Sequence, residues 1–320
     1  MRILLPTLLF TFAASATPPQ NPATVKQLTT YNGFLENIAV RHNGHLLITS
    51  LSTPSLLYID PNTPNTTTPL PPIPGANGIS GITELSQDLF VVAAGIWNLT
   101  QQRATNISLW TIDFNPPSPP TEAVPTKLLD MPSAALLNGL AAIPGTPLVL
   151  ASDSVAGVIY KIDVARKTHS LAINDPILGI PDQTQGLGVN GIKVHDGTLF
   201  FVNSFTGVLG RFRISRDDGT AIGNASVITR FDTDVVSGID DFDVHGNGDV
   251  YIAAHPDFVF RVGGEGGKVE VVVSGEQVPD PTSLALGRGG GFAGGVVYVL
   301  VNAFEGDVND AVGGVVVIDL

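Results

Sequence analysis

Six short segments of this 320-residue chain each open on an oxygen-bearing side chain and then run into alternating apolar residues. They are Glu36-Asn37-Ile38-Ala39-Val40, Ser80-Gly81-Ile82-Thr83, Asn138-Gly139-Leu140-Ala141-Ala142, Asn190-Gly191-Ile192-Lys193-Val194, Asp240-Asp241-Phe242-Asp243-Val244 and Thr282-Ser283-Leu284-Ala285-Leu286. A carboxylate at the mouth of an apolar strand, as in "LENIAV", is costly unless it meets a partner. Two carboxylates and two amide oxygens brought to one axis would form an all-oxygen set. Calcium prefers such a set among common cations. Ordinary turn chemistry is the competing account, since Asn-Gly and Asp-Asp are frequent just before a strand.

The segments recur within a larger repeat. Each is followed by a turn, a second apolar strand, a loop and a third strand. The second strands include "HLLITS", "PLVLAS", "TLFFVN", "DVYIAA" and "VVYVLV"; the third include "SLLYID", "GVIYKID", "LGRFRI", "FVFRV" and "GVVVID". "SGITELSQDLFVVAAG" and "LWTID" supply one more unit, so units start near residues 36, 80, 138, 190, 240 and 282. Helix-period patterns are nearly absent. Repeated small antiparallel sheets predict an all-β chain, a six-bladed β-propeller. "VKQLTTY" precedes the first unit and is expected to add an outer strand to the last blade, closing the ring and leaving no free edge. One propeller domain is expected over 17–320, with Pro61–Pro74 and Pro116–Pro125 as connections between blades.

In a propeller the inner strands all start on one face beside the central channel, so the polar leaders are expected to converge there. The same face receives the loops after each second strand. These carry Ser50, Trp97, Ser152, Asn203 with Phe205, His255, and Asn302 with Phe304. Aromatic and hydrogen-bonding groups in one wall suit a small-molecule pocket. Trp97, Phe205, Phe304 and Ser152 are the candidate substrate contacts. His255 is the histidine placed at this face, whereas His42, His45, His195 and His245 fall in turns at the other end and His169 in a connection.

Composition narrows the classes. The formal charge is −13, which disfavours nucleic acid as a partner. There is no cysteine, hence no disulfide, thiolate metal site or cysteine nucleophile. Residues 1–16 read as a secretory signal peptide: Arg2, an apolar run from Ile3 to Ala13, and Ala14-Ser15-Ala16 as a cleavage site. The run is too short to span a membrane. Sequons at Asn65, Asn98, Asn106 and Asn224 agree with a secreted glycoprotein. The composition says nothing about oligomeric state.

The polar leaders and their flanks resemble the SMP-30/gluconolactonase/regucalcin superfamily. The likeness is nearest to fungal secreted members, through Glu36 to Arg41 with Asn43-Gly44, through Asn190-Gly191 with Leu199 to Ser204, and through Gly238 with Asp240-Asp241-Phe242, Gly248 and Tyr251. The resemblance implies a calcium-type ion on Glu36, Asn138, Asn190 and Asp240. Asp241 stands where that family often has glycine. Some such fungal proteins are hetero-Diels–Alderases, which join a tropolone-derived o-quinone methide to a terpene. The resemblance therefore implies a pericyclase in secondary-metabolite biosynthesis. Its dry pocket would hold both reactants in register, with His255 or Asn203 addressing the enone oxygen. A calcium-dependent lactonase or esterase, with Asp240 or Asp241 as base, is the alternative. A non-catalytic binding propeller is the third reading.

Overall fold

The computed structural model describes residues 23–115, 119–181, 186–264, 267–288, 295–304 and 306–320. The expected signal peptide lies outside the described residues. The chain is a six-bladed β-propeller, each blade a four-stranded antiparallel sheet. The outermost strand of the last blade is β1 (Val25–Asn32). Blade 1 holds β2 (Leu35–Val40), β3 (Leu46–Ser50), β4 (Leu57–Ile59) and β5 (Thr68–Pro69). Blade 2 holds β6 (Gly78–Ser86), β7 (Leu89–Asn98), β8 (Arg103–Asp113) and β9 (Thr126–Asp130). Blade 3 holds β10 (Leu137–Ala142), β11 (Leu148–Asp153), β12 (Val158–Asp163) and β13 (Thr168–Ile173). Blade 4 holds β14 (Val189–His195), β15 (Thr198–Asn203), β16 (Val208–Arg213) and β17 (Ser226–Arg230). Blade 5 holds β18 (Gly238–Val244), β19 (Val250–His255), β20 (Phe258–Val262) and β21 (Val269–Ser274). Blade 6 holds β22 (Ser283–Leu286), β23 (Val296–Ala303) and β24 (Val312–Asp319), completed by β1.

The second strands are apolar without interruption because a blade is covered on both faces. In β3, Leu46 and Ile48 point into the cluster shared with blade 6, while Leu47 points into the cluster shared with blade 2. The same two-residue alternation builds one apolar cluster at each of the six blade-to-blade interfaces. Each ring contact is thus a sheet-on-sheet core, and burying its aliphatic side chains is worth roughly 1.5–3 kcal/mol apiece.

Ring closure is antiparallel, with Val25 opposite Ile318 and Asn32 opposite Val312. Leu28 enters the blade 6–blade 1 cluster from this strand. The first and last strands therefore meet in one sheet, and β24 has no free edge.

Candidate functional site

The polar leaders reach the channel through a repeated irregularity. In blades 1 to 5 the inner strand carries one extra residue where it pairs with the second strand, between Leu35/Ile38, Ile79/Ile82, Leu137/Leu140, Val189/Ile192 and Ile239/Phe242. A bulge of this kind bends the strand and re-aims its side chains. The two residues inside each bulge are the leader and its successor. In three blades that successor is glycine. At Gly139 a Cβ would sit 2.7 Å from Asn190 O of the next blade. At Gly191 it would collide with the Asp241 carboxylate. Inner strands of adjacent blades therefore approach too closely for a side chain at these points.

At the head of the channel the leaders interact. Asn190 Nδ2 donates to Asp240 Oδ1 at 2.6 Å and to Ser204 Oγ at 3.0 Å. The other Asp240 oxygen lies 2.9 Å from His255 Nε2, and His255 Nδ1 lies 2.6 Å from Asp280 Oδ1. Glu36 is buried, hydrogen-bonded by Asn138, and within the field of Asp240, His255 and Asp241. The Ser80 and Thr282 hydroxyls turn to backbone, donating to Leu137 O at 2.8 Å and Leu35 O at 2.9 Å.

Charge follows from this packing. Burial pushes the Glu36 carboxyl well above the usual range, and the Asp240 charge pushes it further. Burial also raises Asp240, against the pull of His255. Burial alone would lower the His255 imidazole, but bonds to Asp240 and Asp280 outweigh it and hold the ring charged, with a pKa pushed up to about 10. The head thus places the His255 ring between the Asp240 and Asp280 carboxyl groups, with the buried Glu36 carboxyl close by.

Glu36, Asn138, Asn190 and Asp240 come together as one group. Phe205 and Phe304 stand on the same face, 41% and 40% exposed. Trp97 lies in the hairpin that extends β7 and β8. Both ends of the Asn77 amide hold its backbone, and its indole N–H is buried without a partner among the described residues. Four expectations need correction. Asn203 points away from the head: its Nδ2 donates to Ile177 O and Gly179 O at 3.0 and 2.8 Å, and its Oδ1 accepts from Thr206 N. Ser152 staples the bulge, accepting from Gly139 N at 2.8 Å and donating to Asn190 O at 2.6 Å, with no exposed surface. Asp241 is no free base. Lys193 Nζ contacts its two oxygens at 2.6 and 2.8 Å, and Ser283 Oγ donates at 2.8 Å. Lys193 also lines a cavity of about 470 Å³ on the far side of the channel. His255, expected to address a substrate oxygen, has both ring nitrogens engaged by Asp240 and Asp280.

The registers explain the misplacement. Val189 pairs with Asn203 and Ile239 with Ala254, so the counterpart of His255 in blade 4 is Ser204. A strand alternates faces, and a one-residue offset exchanges wall for scaffold. Asp280 sits between Pro279 and Pro281, a context that reads only as a turn. The four sequon asparagines are all exposed.

Among the described residues, no group of three or more histidine, aspartate or glutamate side chains is disposed to hold a metal ion. The head set mixes two carboxylates with two amides, and it fits a hard cation on a separate observation. Asn190 Oδ1 is buried with no hydrogen-bond partner among the described residues. That oxygen has a lone pair to offer, on an amide whose Nδ2 is already held by Asp240 and Ser204.

The fold defines a class, the six-bladed β-propeller, and solved propellers of several kinds superpose on this chain at low sequence identity. A luciferin-regenerating enzyme superposes with a TM-score of 0.67 at 14% identity, covering 93% of this chain and 95% of its own. A calcium-binding regucalcin from Agrobacterium tumefaciens gives 0.66 at 15% identity, with 93% and 95% covered. The PQQ-bound aldose sugar dehydrogenase of Streptomyces coelicolor gives 0.63 at 15% identity, with 95% and 100% covered. No family model matches the chain, and no curated protein matches it in sequence.

Proposed function

We propose that the channel head is a divalent-cation site that hydrolyses a lactone or related ester. The buried, partnerless Oδ1 of Asn190, whose Nδ2 binds Asp240, carries this reading. Glu36, Asn138, Asn190 and Asp240 would hold the ion. When bound, such an ion polarises a carbonyl and lowers the pKa of water. The chain's own residues fix the geometry. Asp280 fixes the His255 ring, His255 fixes the Asp240 carboxylate, and Ser204 steadies Asn190. Phe205 and Phe304 offer apolar surface at the mouth for the carbon skeleton of a substrate. A neighbour described as calcium-binding and another described as an enzyme support the reading.

The test uses protein dialysed against EDTA and then supplied with calcium. Proton release from δ-lactones and the melting temperature are both followed. Calcium at a hundredfold excess over its Kd should add about 2.7 kcal/mol of stability. Hydrolysis should appear with the ion, and Glu36→Gln and Asp240→Asn should lose both responses. No melting response and no hydrolysis would overturn the proposal.

The second reading is cycloaddition of an o-quinone methide with a terpene, favoured by the exposure of Phe205 and Phe304 at the head. Product formation from those reactants that survives EDTA, in protein inert to lactones, would replace the hydrolase reading.

A further inference from the structure

We propose that a second cleft on the head side of the propeller, between blades 3 and 4, binds an amphipathic organic anion. Its apolar wall would hold the ligand's body, and Arg103 and Arg230 its acidic group. The inference is independent of the hydrolase reading.

The cleft has a volume of about 910 Å³. Small-molecule sites run to roughly 300–1,000 Å³. Its wall includes Val155, Ile177, Ile180 and Val208. The backbone behind that wall is tightly held. Asn203 ties Ile177 O and Gly179 O to the end of β15, and Leu178 between them is fully buried. Gly157 packs so closely that a Cβ there would sit 2.6 Å from Gly179 Cα. The cleft is therefore built into the blade interface and needs no rearrangement to form.

The chain carries 29 acidic residues against 16 Lys and Arg, and seven of those cations pair with carboxylates among the described residues. Arg103 and Arg230 both line the cleft, and neither has a carboxylate partner among the described residues. There the one side-chain hydrogen bond of Arg103 goes to Gln102 O at 3.1 Å, and Arg230 makes none. Asp175 also lines the cleft, with one oxygen accepting from Ile177 N at 3.0 Å. The described lining thus carries two guanidinium groups and one carboxylate beside an apolar wall. A guanidinium recognises carboxylate, sulfonate or phosphate through paired N–H donors.

The probes are 1-anilinonaphthalene-8-sulfonate and its neutral relative N-phenyl-1-naphthylamine, titrated by fluorescence into EDTA-treated wild-type protein. One saturable sulfonate site is expected, weakened by salt. Arg230→Gln and Arg103→Gln should each weaken sulfonate binding roughly tenfold, the scale of one charge-assisted contact, and leave the neutral probe's binding unchanged. Arg230→Lys should restore part of the loss. Ala156→Phe, on the exposed turn lining the cleft, should block both probes. Melting curves identify any variant that has lost its fold, and the salt dependence of the wild type then stands in for it. Sulfonate binding that ignores salt, both arginine changes or the Ala156→Phe change would overturn the proposal.

Discussion

Lys193→Met should destabilise the fold by leaving Asp241 as a buried, uncompensated carboxylate. The Asp241 side chain is 4% exposed, and Lys193 contacts both its oxygens from the neighbouring blade. Lys193 also lies 5.5 Å from the centre of the Phe242 ring. Breaking a fully buried ion pair costs about 3–5 kcal/mol. The Lys193 side chain is 26% exposed, so water partly replaces it, and about 2–3 kcal/mol is expected. For a chain of this size that lowers the melting temperature by about 4–6 °C. The double variant Lys193→Met/Asp241→Ala should recover most of the loss, because the buried charge is gone and other blades carry glycine at this bulge position. Thermal melts and urea titrations of the wild type, both single variants and the double variant complete the cycle. A Lys193→Met variant that melts with the wild type, or a double variant no more stable than Lys193→Met, would refute the reasoning.

The second prediction concerns acid. Burial pushes the Asp249 carboxyl up, but bonds from Arg261 and Gly264 outweigh it and leave the folded value below the ordinary one. A depressed folded pKa stabilises above the unfolded pKa, and that contribution fades as pH falls through the folded value. Urea midpoints should therefore separate the wild type from Arg261→Gln at about pH 6 and bring them together as Asp249 protonates; a constant gap would count against the assignment. The third prediction concerns closure. Removing residues up to Asn32 strips β1 from β24 and exposes the backbone of the Val315-Val316-Val317 stretch. Such an edge invites strand pairing between chains. Light scattering after size exclusion should show association, and a stable monomer would argue that β1 is dispensable.

The six-fold repeat, the blade order and the closing strand were legible in the sequence because each rests on local pattern. Alternating apolar residues, turns and a recurring leader require only the period of a strand and the length of a hairpin. The leaders Glu36, Asn138, Asn190 and Asp240 were legible for the same reason, since equivalent positions of a ring must meet at its axis. What the sequence could not settle was which of two neighbouring residues faces the channel. The inner-strand bulges insert one residue against the second strand, and a shift of one exchanges the two faces. Asn203 therefore became scaffold and Ser204 became a site contact, and Asp240 faced the head while Asp241 turned to Lys193. Asp280 reached His255 only because the connection after β21 folds back across the blade top, 25 residues along the chain. The charge states of His255 and Glu36 depend on how much water and how many carboxylates the closed ring leaves nearby. Those are properties of the assembled channel, which no segment of the chain contains alone.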